Sequence, residues 1–267
     1  YKVTWPLSIV VSKRALTKYQ LLFRHLFLSK HVERKLLDTW LDHQVTKELD
    51  LRSAMAPTYG LRQRMLHFMQ NFVYYMMFEV LEPRWHDLKE KMSNVKNVDE
   101  ILKHHGEFLD TCLKECLLTN PELLKILAKM TTTCLLFSDR MRSFTIGNQI
   151  DEHAMRNAAQ EAIENRRAGQ RKGTEKAKQW YQETALVCKI RVERVKVQSD
   201  QMCRDLTNEN YKATLKRFED KFDTLLEEFM EKLRSDAHMQ YQSHLSNLCT
   251  RLDYNNYFES MREEQNF

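Results

Sequence analysis

Apolar residues recur at steps of three and four through most of this chain, and nowhere more densely than from Leu61 to Glu82, LRQRMLHFMQNFVYYMMFEVLE. Leu61, Met65, Phe68, Met69, Phe72, Tyr75, Met76 and Val80 keep helical spacing there, while Tyr74, Met77, Phe78 and Leu81 fill the flanks. A helix apolar over more than half its circumference needs several neighbours, because a surface helix hides only one stripe. The run therefore predicts a central core helix, about 33 Å long at 1.5 Å per residue. Arg62, Arg64, Gln70 and Asn71 make it too polar for a membrane span. Gly60 precedes it. Pro83, which lacks an amide donor and disfavours helical geometry in the residue before it, is expected to end it.

The same periodicity orders the rest. Tyr1 to Val11 is β-branched and interrupted by Pro6, which predicts an extended leading segment packed on a bundle. Ser12 is placed to cap a helix that carries Leu16, Tyr19, Phe23, Leu26, Phe27, Leu36, Leu37, Trp40 and Leu41 and runs to about Thr46. Between Glu48 and Tyr59 the pattern lapses around Pro57, as in a connection. Trp85 and Leu88 start a short helical stretch that fades by Met92. Asn97 with Glu100 forms a capping-box-like start for a helix whose apolar face runs from Ile101 to Cys116. Asn120-Pro121 opens the next, through Leu123, Leu127, Met130, Cys134 and Phe137 towards Phe144. Asn148 to Lys178 is polar, with almost no large apolar residue, and reads as a loop or loose helix. Residues 186–197, LVCKIRVERVKV, alternate like a strand but have no second strand to pair with, so they read as helix. Tyr211, Leu215, Phe218, Phe222, Leu225, Leu226, Phe229 and Leu233 give an amphipathic helix that returns to the core. Arg251 to Phe258, RLDYNNYF, reads as an aromatic cap.

Composition narrows the class further. Five glycines and four prolines in 267 residues are too few for the turns of an all-β fold. With 30% charged and 42% hydrophobic residues the chain reads as all-α. A net charge of +5 is mild for this size and does not by itself argue for nucleic acid. Six cysteines lie mostly inside apolar helical patterns and no signal peptide opens the chain, which favours free buried thiols in a reducing compartment. A start at Tyr1, directly on an apolar run, is what part of a larger protein would show.

Candidate chemistry is sparse. His105, Cys112 and Cys116 share a helical face, but Phe108 and Leu109 line it too, so core burial explains them better than metal. His86-Asp87, with His67, has the residue types of a helical metal-dependent phosphohydrolase. No HExxH, glycine-rich phosphate loop or GxSxG motif occurs. No catalytic residue, cofactor or metal is therefore expected. Arg166, Arg167, Arg171 and Lys172, spaced by two glycines, form a basic run able to grip an acidic partner. Arg62, Arg64, Asn71, Glu79 and Glu82 sit among apolar residues and must find partners within the fold or across an interface.

Four separated blocks in order, TWPLSIVVSKRALTKYQLLFRHLF, LRQRMLHFMQNFVYYMMFEVLEPRWH, HHGEFLDTCLKECLLTNPELLKIL and RLDYNNYF, resemble the C-terminal domain of the gamma-tubulin complex components, most of all the second. They cover about two thirds of the chain. The resemblance implies a non-enzymatic, all-helical domain that holds gamma-tubulin as a template for microtubule growth in the cytoplasmic cytoskeleton, at a centrosome or spindle pole. It implies that other components, especially the third, associate through regions outside this chain, and that a coiled-coil activator docks nearby. Neither nucleic acid nor membrane is an expected partner.

Together these readings predict an elongated all-α bundle in residues 1–147, a long polar insertion in 148–198 and closing helices in 199–267. The expected gamma-tubulin contacts are Thr58, Tyr59, Arg62, Arg64, Asn71, Glu79 and Glu82. Arg166, Arg167, Arg171 and Lys172 are expected to serve accessory docking. The alternatives are the phosphohydrolase above and a helical scaffold for another protein.

Overall fold

The computed structural model describes residues 2–46, 52–147, 204, 208–240 and 243–255, and among them every regular element is helical. In order they are a 3-10 turn at Leu7–Ile9, α1 (Lys13–Thr46), α2 (Arg52–Tyr74), a π-helical segment (Tyr75–Leu81), α3 (Glu82–Ser93), α4 (Val98–Glu115), α5 (Pro121–Gly147), α6 (Glu209–Gln240) and α7 (Ser243–Leu252). None of these helices is long and apolar enough to cross a membrane. The expected insertion 148–198, including the run 186–197, lies outside the described residues.

The chain forms two compact units. One comprises Tyr1–Leu37, Leu61–Ser138 and Arg217–Phe267, the other Asp38–Gly60 and Asp139–Lys216. The central run supplies the middle of the first core: Met65, Phe68, Met69, Phe72, Tyr75, Met76 and Val80 are all buried. Phe68 stacks on Phe72 and meets Phe222 and Phe229 edge-on at 6.3 and 5.6 Å. In the second unit Thr58 Oγ1 and the Tyr211 hydroxyl share a 2.8 Å hydrogen bond, and the Tyr211 ring packs 5.0 Å from that of Phe144.

The ends of the central helix are not where Gly60 and Pro83 place them. Residues 52–59, expected as a connection, are already helical, and Pro57 and Gly60 lie inside α2. At the other end Leu81 and Glu82 keep helical dihedrals, so the chain passes Pro83 without a break and Pro83 becomes part of the first turn of α3. A proline in a continuing helix withholds its own amide and its ring crowds the carbonyl four residues back, here that of Glu79. The turn before it opens instead: the Glu82 amide reaches back five residues to the Met77 carbonyl.

Helix starts follow the capping residues in two places. Ser12 Oγ accepts the Ala15 amide at 3.3 Å. Asn120 Oδ1 accepts the amides of Glu122 and Leu123 at 3.1 and 3.2 Å, while its Nδ2 donates to Asp236 Oδ2 at 2.6 Å. Replacing Asn120 by alanine is expected to lower stability by about 1–2 kcal/mol, read as a shift of the urea midpoint at unchanged slope. Asn97 differs: its side chain caps nothing, and Glu100 accepts the amide of Lys96. α4 closes in a Schellman turn, with the Leu117 amide on Lys114 and that of Leu118 on Leu113. The left-handed position there, φ 65°, is held by leucine, not glycine, and burial of the Leu117 side chain offsets the strain.

Three apolar groups expected to pack do not. Trp5 and Leu7 of the leading segment are exposed, as are Phe23 and Phe27 on α1. The buried side of α1 is Ala15, Leu22, His25, Ser29, Val32 and Leu36 instead. At the far end Leu252 and Asp253 are buried but Tyr254 is exposed, so the described part of the expected aromatic cap is not a cap. The face of α4 behaves as core: His105, Leu109, Cys112 and Cys116 are buried, and burial pushes the Cys112 thiol up to about 12.

Candidate partner-binding face

The side of the central helix turned away from the first core carries the residues most able to meet another protein. Burial of Leu61, Met65, Phe68, Phe72, Tyr75, Met76 and Val80 fixes its rotation, and this leaves Arg64, Tyr74, Met77, Phe78, Glu82 and Trp85 exposed. Tyr74 and Phe78 pack ring against ring at 4.8 Å, and Trp85 meets Phe108 at 6.3 Å. The π turn puts Met77 and Phe78 side by side at the surface, where an α turn carries fewer residues.

Charged groups border this aromatic patch, and most are pinned. Arg251 lies over the Tyr74 ring at 4.3 Å and pairs with Glu79. Arg84 grips the buried Glu115 through two nitrogens at 2.9 and 2.6 Å and also reaches Asp87. The Glu115 carboxylate holds the Arg84 guanidinium firmly in its charged form. The Tyr75 hydroxyl, pushed up by burial, donates to the Glu115 carbonyl at 3.0 Å, so the π turn is tied to the end of α4. Towards the start of the face, Arg64 forks onto Asp223 at 2.9 and 2.8 Å and reaches Glu219.

The expected contact residues are therefore spread over different surroundings. Arg64 and Glu82 are exposed and Asn71 half-buried on this face, with Asn71 Nδ2 bonded to His67. Glu79 is tied to Arg251 beside it. Arg62 is buried, and its guanidinium donates to the Leu36 carbonyl at 3.3 Å. Thr58 is buried and Tyr59 half-buried in the other unit. Arg166, Arg167, Arg171 and Lys172 lie outside the described residues. Periodicity places the aromatic members Tyr74 and Phe78 on the flank of a core helix and Trp85 at the start of a short helical stretch. Their appearance at the same outward positions as Glu82 was the signal available for them.

The same region offers little chemistry. His67 is exposed and engaged by Asn71, and Asp87 by Arg84. The His105 ring takes the Tyr19 hydroxyl at 2.9 Å, and burial lowers its pKa. Among the described residues no group of three or more His, Cys, Asp or Glu is placed to hold a metal ion. A cleft of about 340 Å³ lies between the start of α5 and α6. Lys232 pairs there with Glu122 and Asp236, Asn120 donates to Asp236, and Lys114 lines it as well.

Residues 1–258 match the family described as gamma tubulin complex component C-terminal. The chain belongs to that family. It is 50% identical over 153 residues to gamma-tubulin complex component 2 of Mus musculus, a match covering 57% of this chain and 17% of that protein. To the spindle pole body component alp4 of Schizosaccharomyces pombe it is 41% identical over 152 residues, 54% of this chain and 19% of the relative. To the gamma-tubulin complex component 3 homolog of Xenopus laevis it is 32% identical over 123 residues, 44% and 14%. The matched stretch thus spans less than a fifth of each of these relatives. The greater likeness to second components and the all-α fold both agree with the sequence reading. These relatives are named as components of a complex or of a spindle pole body.

Proposed function

We propose that this domain captures gamma-tubulin and holds it as a template for microtubule nucleation, in the cytoskeleton at a centrosome or spindle pole. Membership of the gamma-tubulin complex component family is the observation that carries the reading. The contact surface is the outer face of α2, the π segment and α3. Tyr74, Phe78 and Trp85 supply large, stiff apolar area at its centre, and Arg64, Asn71 and Glu82 supply directed polar contacts. Glu79 and Arg251 hold the Tyr74 ring in place. Such a domain works by position: neighbouring components, the third among them, associate through other regions of the longer protein and set several gamma-tubulins at one spacing. The orientational entropy of building a nucleus is then lost once, on assembly of the complex.

The test is a titration of the 267-residue chain with purified gamma-tubulin. Y74S, F78S and W85A together remove surface packing and no core side chain, so circular dichroism should be kept and the melting temperature should fall only modestly. Capture is expected to weaken at least about 30-fold, the loss of more than one central aromatic anchor. Unchanged capture by a folded triple variant would move the contact surface elsewhere. A folded parent chain that captures no gamma-tubulin would overturn the reading itself.

A further inference from the structure

A second surface lies on α1, built from residues that the proposed gamma-tubulin face does not use. Phe23 and Phe27 are 65% and 62% exposed. Their rings stack at 5.7 Å with 24° between the planes. The opposite side of α1 is sealed by Leu22, His25, Val32 and Leu36, so neither ring can turn inward without displacing a core residue. Two adjacent large rings held in water on a rigid helix mark a site of association.

Charge says what kind of partner fits. From Lys13 to Leu37 the helix carries Lys13, Arg14, Lys18, Arg24, Lys30, Arg34 and Lys35 against one carboxylate, Glu33. Lys18 is spent on Asp110 at 2.5 Å, on another helix, and Lys30 on Glu33 at 2.9 Å. Arg24, Lys30, His31 and Arg34 are exposed on the same outward side as the two rings, at helical steps that continue the ridge towards the C-terminal end of α1. An i, i+4 ridge of this kind seats in the groove between side chains of a second helix. Tyr19, bonded to His105, precedes the two rings on this ridge and cations occupy the next turns, so the apolar stretch ends at Phe27 after three side chains. That is too short for the continuous apolar stripe by which a helix lies in a membrane surface.

We infer that the outer face of α1 docks an acidic amphipathic helix of a protein partner. Its apolar turn sits on Phe23 and Phe27, and its carboxylates lie along this basic side of α1, beside Arg24 and His31.

The probe is a fluorescent designed helix with leucines at three- and four-residue steps flanked by glutamates, titrated into the intact chain. A version with lysine for every glutamate, phosphatidylserine vesicles and a single-stranded oligonucleotide are run alongside. The acidic helix is expected to bind and the lysine version not to. Binding should weaken at least about fivefold between 50 and 300 mM salt, as screening removes the charge contribution. F23S with F27S should weaken it at least about tenfold, and R24E alone at least about threefold. All three positions are exposed, and an unchanged melting curve certifies each variant. Failure of the acidic helix to bind overturns the inference, as does equal binding of the lysine version or unchanged binding to the folded F23S/F27S chain. Tighter binding of vesicles or oligonucleotide would assign the face to a membrane or a nucleic acid and overturn it as well. Gamma-tubulin capture by the same F23S/F27S chain should be unaltered, which keeps the two surfaces distinguishable.

Discussion

Replacing Phe68 by alanine is expected to lower the unfolding free energy by about 3–5 kcal/mol, the usual cost of emptying a fully packed aromatic site. Phe68 is buried where three rings converge: Phe72 from its own helix, and Phe222 and Phe229 from α6. Helices distant in sequence meet on that one side chain, so neither can move in to fill the void without losing its other contacts. The melting temperature should fall by roughly 10 °C, at about 2–4 °C per kcal/mol for a domain of this size. Thermal and urea unfolding followed by circular dichroism measure it. A loss below about 1 kcal/mol would mean that the aromatic cluster relaxes freely and is not the centre of the fold.

Acid should begin to destabilise the domain near pH 6.5, before most carboxylates titrate. His25 is buried on the inner side of α1, edge-on to Phe72 at 5.7 Å. A hydrogen bond to the Cys116 backbone holds it, and its Nε2 has no hydrogen-bond partner among the described residues. Burial lowers its pKa to about 4 against an ordinary value of 6.5. The folded state therefore keeps the imidazole neutral through a range in which the unfolded chain takes up a proton. The stabilisation is fully present above about pH 6.5 and is lost progressively as the pH falls towards 4, for a total of about 3 kcal/mol. Urea midpoints at pH 7, 5.5 and 4.5 should decline accordingly in the parent chain. In H25M, where nothing at this position titrates, the decline over that interval should be shallower by the His25 share, with His105, whose pKa burial also lowers, still contributing. Parallel declines in both proteins would place the acid sensitivity elsewhere.

Much of this fold was legible because its helices announce themselves twice, in apolar period and in capping chemistry. Asn120-Pro121 and Ser12 mark helix starts on grounds that need no tertiary knowledge, and both side chains make the expected bonds. α1 shows where such reading ends. Tyr19, Phe23 and Phe27 form one stripe, and Leu22, His25, Ser29, Val32 and Leu36 another. The first is the more aromatic, yet the second is buried, with Leu22, Val32 and Leu36 in the core and His25 edge-on to Phe72. Aromatic content alone does not rank two stripes on one helix; the shape of the neighbours does.

The charged residues of the candidate face were legible as unusual but not as to purpose. Arg64 finds its carboxylates 155 and 159 residues away, on a helix that shares no local pattern with it. Arg62 answers a backbone carbonyl of α1. Partners so remote leave no trace in local spacing, so a residue that must be satisfied somewhere reads the same whether its partner lies inside the fold or on another protein.

The π turn before Pro83 has a consequence for the register of everything after it. A helix that takes up one extra residue rotates its continuation by roughly 100° relative to an unbroken α-helix. At 100° per residue the phase that buries Phe72 and Val80 would turn Leu88 well away from the core; the extra residue brings it back, and Leu88 is buried. The wide turn thus acts as a phase shifter. Length is what sets the facing of the two flanks: removal of a single residue between Tyr75 and Leu81 lets the turn close to α geometry with α2 and α3 facing as before, whereas insertion of one more rotates the outward side of α3 by roughly 100°.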